Sequence, residues 1–265
     1  MNKIKDFEII DFHTHPFMTK DFNICNHIDY CHMSPQNTLN KAKELGITKI
    51  CGSVIKIADE TEKNDWWGLV KKCNAEAAKL KDFYGDFYVP GFHVHPDFVR
   101  ESCEEIDKYH KAGFKLVGEL VPYLMGYKTY SGNGLDEIIE YAGEKDMVVS
   151  IHSMWNDDMD KFVKLHKNVK IVAAHPNEYG DFMRHMERMK MSDNYYLDIS
   201  GYGVFREGML RHAIDTAGVD RILFGSDYPT CNVAMYVGAV LLDDLITDKE
   251  KEAIFSLNAK RLLGL

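Results

Sequence analysis

No apolar run in the chain approaches the ~20 residues needed to cross a bilayer, so a membrane-spanning helix is not expected. No Cys-x-x-Cys pair, low-complexity tract, internal repeat or linker is found. A basic stripe is also missing. Lys+Arg number 32 against Asp+Glu 41, a net charge of −9, whereas a phosphate backbone demands clustered positive charge. Nucleic acid is therefore not an expected partner. The six cysteines (Cys25, Cys31, Cys51, Cys73, Cys103, Cys231) are scattered. A reducing compartment needs no disulfides from a chain of this size. The opening Met1–Asp6 is polar and lysine-bearing, and the run after it reaches Asp11 and His13 rather than forming a signal-peptide core. A cytoplasmic location is the expectation. Cys25, His27, Cys31 and His32 lie close together, but their spacing fits no zinc-finger pattern.

What is present is ordinary for a globular chain: 265 residues, 45% hydrophobic and 28% charged. Eight short β-rich runs alternate with helical stretches. The runs are Glu8–Phe12, Lys49–Val54, Phe87–Phe92, Phe114–Val121, Met147–Ile151, Lys170–Ala174, Tyr195–Ile199 and Arg221–Phe224. Most are continuously apolar, the pattern of strands covered on both faces. Helical period marks Thr38–Gly46, Asp65–Leu80, Glu101–Gly113, Leu135–Glu144, Asp157–His166, Tyr179–Met191 and Gly208–Gly218, then Val233–Leu245 and Lys249–Leu262. Eight strand–helix units predict one α/β domain, residues 1–265, closed as a (β/α)₈ TIM barrel. An open doubly wound sheet would be expected to carry a glycine-rich phosphate turn early, where this chain has His13-Thr14-His15-Pro16. The longest irregular stretch runs from Pro16 to Pro35.

Polar residues collect where the strands end. His13 and His15 follow the first strand, and side-chain alternation puts them on one face. Glu119 sits on the fourth strand, His152 closes the fifth, His175 the sixth and Asp227 the eighth. In a barrel these ends meet at the carboxyl face. Imidazole nitrogens and carboxylate oxygens with one open position make a catalytic metal site. A rival pair, His93 and His95, ends the third strand with the same spacing. Asp11 is readable either as an acceptor behind a ligand histidine or as an interior carboxylate bonded to backbone. Glu119 could instead pair with Lys115.

These pieces resemble the amidohydrolase superfamily, specifically the amidohydrolase-2 group of metal-dependent hydrolases and decarboxylases. The matching segments are Ile10-Asp11-Phe12-His13-Thr14-His15, Ser150-Ile151-His152, Ala174-His175-Pro176, Phe224-Gly225-Ser226-Asp227-Tyr228-Pro229 and Asn258-Ala259-Lys260-Arg261-Leu262-Leu263-Gly264. The resemblance implies that His13, His15, His152 and Asp227 hold a divalent metal, with His175 a catalytic partner or a ligand of a second ion. Gly118-Glu119-Leu120 resembles the fourth-strand glutamate of TatD-like hydrolases, where such a carboxylate bridges two metals. Many amidohydrolase-2 members use one zinc instead. Zinc, one or two ions per chain, is thus the leading expectation, although the ligand types also suit manganese, iron or nickel. A carbamylated lysine is not expected, because Lys115 lies four residues before Glu119.

Such a site lowers the pKa of bound water toward about 7. Asp227 would take the water proton and return it to the leaving group, and His175 would stabilise developing charge if not itself a ligand. Tyr123, Trp155, Tyr179, Tyr202 and Arg206 follow strands four to seven and should rim the pocket. Arg206 is placed either to grip a substrate carboxylate or to pair with Glu207 or another acid. The expected function is hydrolysis of an amide, ester, lactone or related bond in a small molecule. Non-oxidative decarboxylation on the same site is the alternative, and an inactive barrel acting as a binding protein is a third reading, which the full ligand set argues against. A homodimer is the base-rate expectation for assembly.

Overall fold

The computed structural model describes residues 4–25 and 34–265. Eight strands alternate with helices as the hydrophobic pattern requires. The strands are β1 (Ile9–Asp11), β2 (Ile47–Gly52), β3 (Tyr88–Phe92), β4 (Leu116–Leu120), β5 (Val148–His152), β6 (Lys170–Ala174), β7 (Tyr195–Asp198) and β8 (Ile222–Leu223). They form one sheet in sequential order, every pairing parallel. The helices that separate or follow them are α1 (Pro35–Glu44), α2 (Trp66–Tyr84), α3 (Val99–Lys111), α4 (Pro122–Met125), α5 (Leu135–Glu144), α6 (Asn156–Leu165), α7 (Tyr179–Met191), α8 (Met209–Ala217), α9 (Val233–Leu241), α10 (Asp248–Glu252) and α11 (Asn258–Leu263). This is the TIM barrel that the sequence predicts.

The sheet closes through backbone beyond the regular strands. Phe12 N–H donates to Phe224 O at 2.9 Å, His15 N–H to Tyr228 O at 2.8 Å, and Asp227 N–H to His13 O at 2.8 Å. A parallel bridge joins Thr14 to Tyr228. Barrel closure and delivery of the strand-end histidines are therefore the same set of hydrogen bonds.

Continuous apolar strands have a purpose on each face. Ile10, Phe12, Cys51, Val89, Leu116, Val148, Val172 and Leu223 share one buried cluster with Ala259, Leu262 and Leu263. These last three come from α11, so the closing helix packs onto the residues that line the barrel. The neighbours Ile9, Ile50, Tyr88, Val117, Val149, Ile171, Leu197 and Ile222 belong to a second cluster, between sheet and helices.

The structure departs from the sequence expectations at a few elements. The predicted Lys249–Leu262 helix is α10 and α11 joined by one wide turn at Ala253–Leu257, and α4 has no counterpart in the periodicity. The register of β4 against β5 shifts between Val117 and Leu120, so the stretch bearing Glu119 carries a bulge. Bulges re-aim side chains, and this one also explains Gly118: at φ +92°, a Cβ would sit 2.3 Å from Ser150 O. Of the Cys25, His27, Cys31, His32 group, only Cys25 lies within the described residues. Cys51, Cys73, Cys103 and Cys231 are unpaired thiols, and among the described residues no helix is long and apolar enough to cross a membrane.

Because Leu262 is 5% exposed and seals the lining cluster, Leu262→Ala should destabilise the fold by about 3 kcal/mol. Urea unfolding would measure it, and a change within experimental error would remove α11 from the core.

Candidate metal centre

His13 and His15 leave β1 with their rings edge to face, centroids 5.0 Å apart. The two Nε2 atoms are 3.2 Å apart. Glu119 Oε2 lies 3.4 Å from each, and Asp227 Oδ1 lies 3.2 Å from His15 Nε2 and 3.8 Å from His13 Nε2. The other oxygen of Glu119, Oε1, faces His152 Nδ1 at 2.9 Å and His175 Nε2 at 3.6 Å. The two compact donor groups are thus His13, His15 and Glu119 on one side, and Glu119, His152 and His175 on the other, each with ligand atoms within 4.8 Å of one another. All six residues expected at the barrel mouth are brought together, and Glu119 is common to both groups.

The ring tautomers decide what this cluster can bind. His13 Nδ1 faces Asp198 Oδ2 at 2.9 Å, and His15 Nδ1 faces Ser53 O at 3.0 Å. Both partners only accept, so each Nδ1 carries a proton and each Nε2 is left with a lone pair in the neutral ring. His175 Nδ1 meets Ser200 Oγ at 3.0 Å, and that hydroxyl donates onward to Asp198 Oδ1. With these rings neutral, three Nε2 lone pairs and two carboxylates therefore converge, a fit to divalent cations. A third cluster, His13, His175 and Asp198, is the support behind this set, because its contacts use the Nδ1 side of the rings.

Electrostatics agree. Burial disfavours charge on every member, yet the carboxylates of Asp198 and Glu119 outweigh it and hold His13 well above the ordinary imidazole range. Asp227 and Glu119 likewise overcome burial to lift His15 to about 9. Glu119 is held well below the carboxylate range despite its burial, chiefly by His13 and then by His15 and His152. The same balance lowers Asp198 and Asp227. Protons on imidazole thus occupy the role that a cation would take. His175, by contrast, is pushed down by burial.

The local backbone is made for close approach. His175 and Asp227 both adopt positive φ, +67° and +61°, a region that non-glycine residues rarely enter and that clusters at functional sites. Gly201 lies directly against the His175 ring: a Cβ there would be 2.2 Å from Nδ1. Tyr130 joins the strands bearing Glu119 and His152, donating its hydroxyl to His152 O at 2.6 Å and lying 3.3 Å from Leu120 O.

The structure decides between several alternatives that the sequence leaves open. Asp11 does not orient a ligand ring. Its carboxylate accepts from Ser226 N–H at 3.0 Å, from the Ser226 hydroxyl at 2.5 Å and from His13 N–H at 3.3 Å, and burial raises it to about 7. The acceptor behind His13 is Asp198, at the end of β7, a residue absent from the set expected at the strand ends. Lys115 makes no pair with Glu119 and lies beside Asp146, Lys170 and Arg261 at the other end of the barrel. His93 and His95 stay outside the cluster: His93 Nε2 donates to Val54 O at 2.7 Å, and His95 Nε2 to Met125 O at 2.9 Å. Arg206 takes the acid-pairing alternative, with Glu178 at 2.7 Å as the acid, and binds Asn177 O as well, so its guanidinium pins the loop after β6. Tyr123 remains at the mouth, 57% exposed and edge-on to His152 at 5.4 Å. Trp155 is 37% exposed beside Tyr130, ring centroids 6.0 Å apart. Tyr179 and Tyr202 are exposed.

The sequence model of the amidohydrolase family, Amidohydro_2, matches residues 10–265. No curated protein matches the chain significantly. Among solved structures, 2,6-dihydroxybenzoate decarboxylase from Rhizobium superposes with TM-score 0.69 at 14% identity, covering 97% of this chain and 99% of its own. Dihydroxybenzoic acid decarboxylase from Polaromonas sp. JS666, solved with manganese and the inhibitor 2-nitroresorcinol, gives TM-score 0.72 at 15% identity over 98% and 97%. An uncharacterised TIM-barrel protein from Bordetella bronchiseptica gives 0.75 at 18% over 97% and 99%. At these identities the likeness is one of fold.

Two outcomes are expected here. Asp198→Asn should weaken divalent-cation affinity roughly 10- to 100-fold, because the ring it orients is freed. Competition against a chromophoric chelator would read this, and unchanged affinity would exclude the supporting role. Cation binding should also release protons at pH 7, since His13 and His15 are protonated below their raised pKa values and must be neutral to ligate. Affinity should therefore rise with pH toward about 9. A pH-independent isotherm would contradict it.

Proposed function

Because the chain belongs to the amidohydrolase family, we propose that its barrel mouth is a two-cation hydrolytic centre acting on an amide, ester or lactone carbonyl of a small molecule. The observation that carries this reading is Glu119, whose two carboxylate oxygens face two separate imidazole pairs. A single cation needs no such shared carboxylate.

His13, His15 and Asp227 would hold one ion, His152 and His175 the other, with Glu119 between them. Zinc is the first choice and manganese is compatible with the same donors. When bound, divalent cations polarise a carbonyl and bring water near neutral pKa. The chain's own contribution centres on Asp227. Its Oδ1 is directed at the histidines, whereas among the described residues Oδ2 has only the weak Cys231 thiol donor, at 3.8 Å. That oxygen is free to accept a proton from water and deliver it to the leaving group. Asp198 and Ser200 keep the rings of His13 and His175 in one tautomer throughout. Tyr123 and Trp155 supply apolar wall for a small-molecule substrate.

Non-oxidative decarboxylation is the second reading. It is favoured by the recurrence of decarboxylases among the similar folds, one of them with bound manganese.

Metal analysis should find two divalent ions per chain, and Glu119→Gln should lower that count; one ion in both proteins would support the decarboxylase instead. Asp227→Asn should reduce turnover by roughly 10²- to 10⁴-fold with the circular-dichroism spectrum preserved, and near-normal turnover would remove it from the chemistry. Turnover in ¹⁸O-water separates the reactions: hydrolysis places label in the acid product, whereas decarboxylation releases carbon dioxide and leaves the retained product unlabelled.

A further inference from the structure

The His93-x-His95 pair that follows β3 has the spacing of the His13/His15 pair, yet its two rings part company. β3 lies between β2 and β4 in the sheet. His93 Nε2 turns to Val54 O, just past the end of β2, and His95 Nε2 turns to Met125 O, at the end of α4 after β4. A carbonyl only accepts, so each Nε2 carries the ring proton. The helix layer grips the backbone of both residues. Asn74 on α2 accepts from His93 N–H at 2.7 Å and donates to His93 O at 3.0 Å. Ser102 on α3 accepts from His95 N–H at 3.0 Å and donates to His95 O at 3.2 Å. Each histidine is thus a buried brace from a helix, through the end of β3, to a neighbouring loop.

The His93 brace acts on the segment that cradles His15. Four successive carbonyls there are all engaged, alternating between the two flanking strands as extended backbone does. Cys51 O accepts from Thr14 N–H at 2.9 Å and from the Thr14 hydroxyl at 2.8 Å. Gly52 O accepts from the Tyr88 hydroxyl on β3 at 2.8 Å. Ser53 O faces His15 Nδ1 at 3.0 Å. Val54 O takes the His93 ring at 2.7 Å. The first and third bonds tie the segment to the chain that bears His13 and His15, and the second and fourth tie it to β3. The regular pairing of β2 with β3 ends at Gly52 and Pro90, and proline has no N–H to donate, so side chains take over the ladder from there. Contact with the first strand leaves no slack: a Cβ on Gly52 would lie 2.0 Å from Thr14 O. Burial holds the His93 ring neutral, its pKa down to about 4, and the single proton of the neutral ring is spent on Val54 O.

Only two soft dihedrals, both at Val54, separate the carbonyl that His93 pins from the carbonyl that faces His15. Fixing one therefore restricts the other. We propose that His93 is a positioning residue for the cation centre: by anchoring Val54 O it aligns Ser53 O on His15 Nδ1, and so holds His15 Nε2 toward His13, Glu119 and Asp227. The inference rests on the reading of the barrel mouth as a cation centre and adds to it a residue outside the donor set. His95 is the matched comparison. Its ring is as deeply buried and makes the same kind of bond, but to α4, which bears Tyr123 and no partner of His15.

The test uses the full chain, zinc alone as the probe and three variants. His93→Leu removes the ring N–H, His93→Gln returns an N–H near the position of Nε2, and His95→Leu removes the matching donor on the other flank. Competition against a chromophoric chelator should show zinc affinity weakened roughly tenfold in His93→Leu, the low end of what loss of an outer partner costs. Most of that affinity should return in His93→Gln, and none should be lost in His95→Leu. Unchanged affinity in His93→Leu, no recovery in His93→Gln, or an equal loss in His95→Leu would overturn the positioning role, the last by tracing the effect to general loosening of the fold. A second readout needs neither zinc nor a leucine variant that folds. Imidazole ¹H–¹⁵N spectra of the metal-free protein should show His93 as the neutral Nε2–H tautomer and the His15 Nδ1 proton protected from exchange with water, in the unmodified chain and in His93→Gln alike. A proton on His93 Nδ1 instead, or an unprotected His15 Nδ1 proton, would overturn the proposal. Failure of the cation-centre reading registers separately, as unmodified protein that binds no zinc while these spectra still decide whether His15 is held.

Discussion

The seam between the first and last strands is the constraint on which the rest of the molecule depends. Backbone bonds from Phe12 to Phe224, from His15 to Tyr228 and from Asp227 to His13 close the barrel, and they fix two histidines of the candidate centre against its aspartate. Behind them, the buried Asp11 carboxylate takes three donors from Ser226 and His13, so the two strand ends cannot slide past each other without leaving a buried acceptor unpaired. Fold and site are one hydrogen-bond problem with one solution.

A second constraint is charge. Glu119, Asp198 and Asp227 lie among four imidazoles with little access to water. Such a group of buried carboxylates needs compensation, and the protein offers it through ring nitrogens whose tautomers are set from behind by Ser53 O, Asp198 and Ser200. The supporting residues contribute as much to the character of the centre as the ligands do, because they decide which nitrogen carries a lone pair.

Much of this architecture was legible in the sequence, for physical reasons. Continuous apolar runs such as Met147–Ile151 identify strands buried on both faces, and all eight expected runs overlap observed strands. The strand-end rule located His13, His15, Glu119, His152, His175 and Asp227. The same rule would have reached Asp198, but an aspartate that is only an acceptor looks no different in sequence from a solvated one. Arg206 illustrates another limit: its sequence position leaves its acid partner open, and that partner, Glu178, lies 28 residues earlier. The bulge at Glu119 left only a glycine as a trace. Long-range pairing and local register lie beyond what periodicity encodes.

The closure of the barrel has a consequence for how the protein is made. Asp11 and Ser226 are 215 positions apart in the chain, and the contacts between their segments set the ligand geometry. A ribosome-bound fragment holding only the first strands would display His13 and His15 without the aspartate and glutamate that complete their cage. The donor set is assembled only when the eighth strand docks against the first, and non-local pairing of this kind is slow. The topology therefore makes the complete donor set available only to a chain synthesised past Asp227.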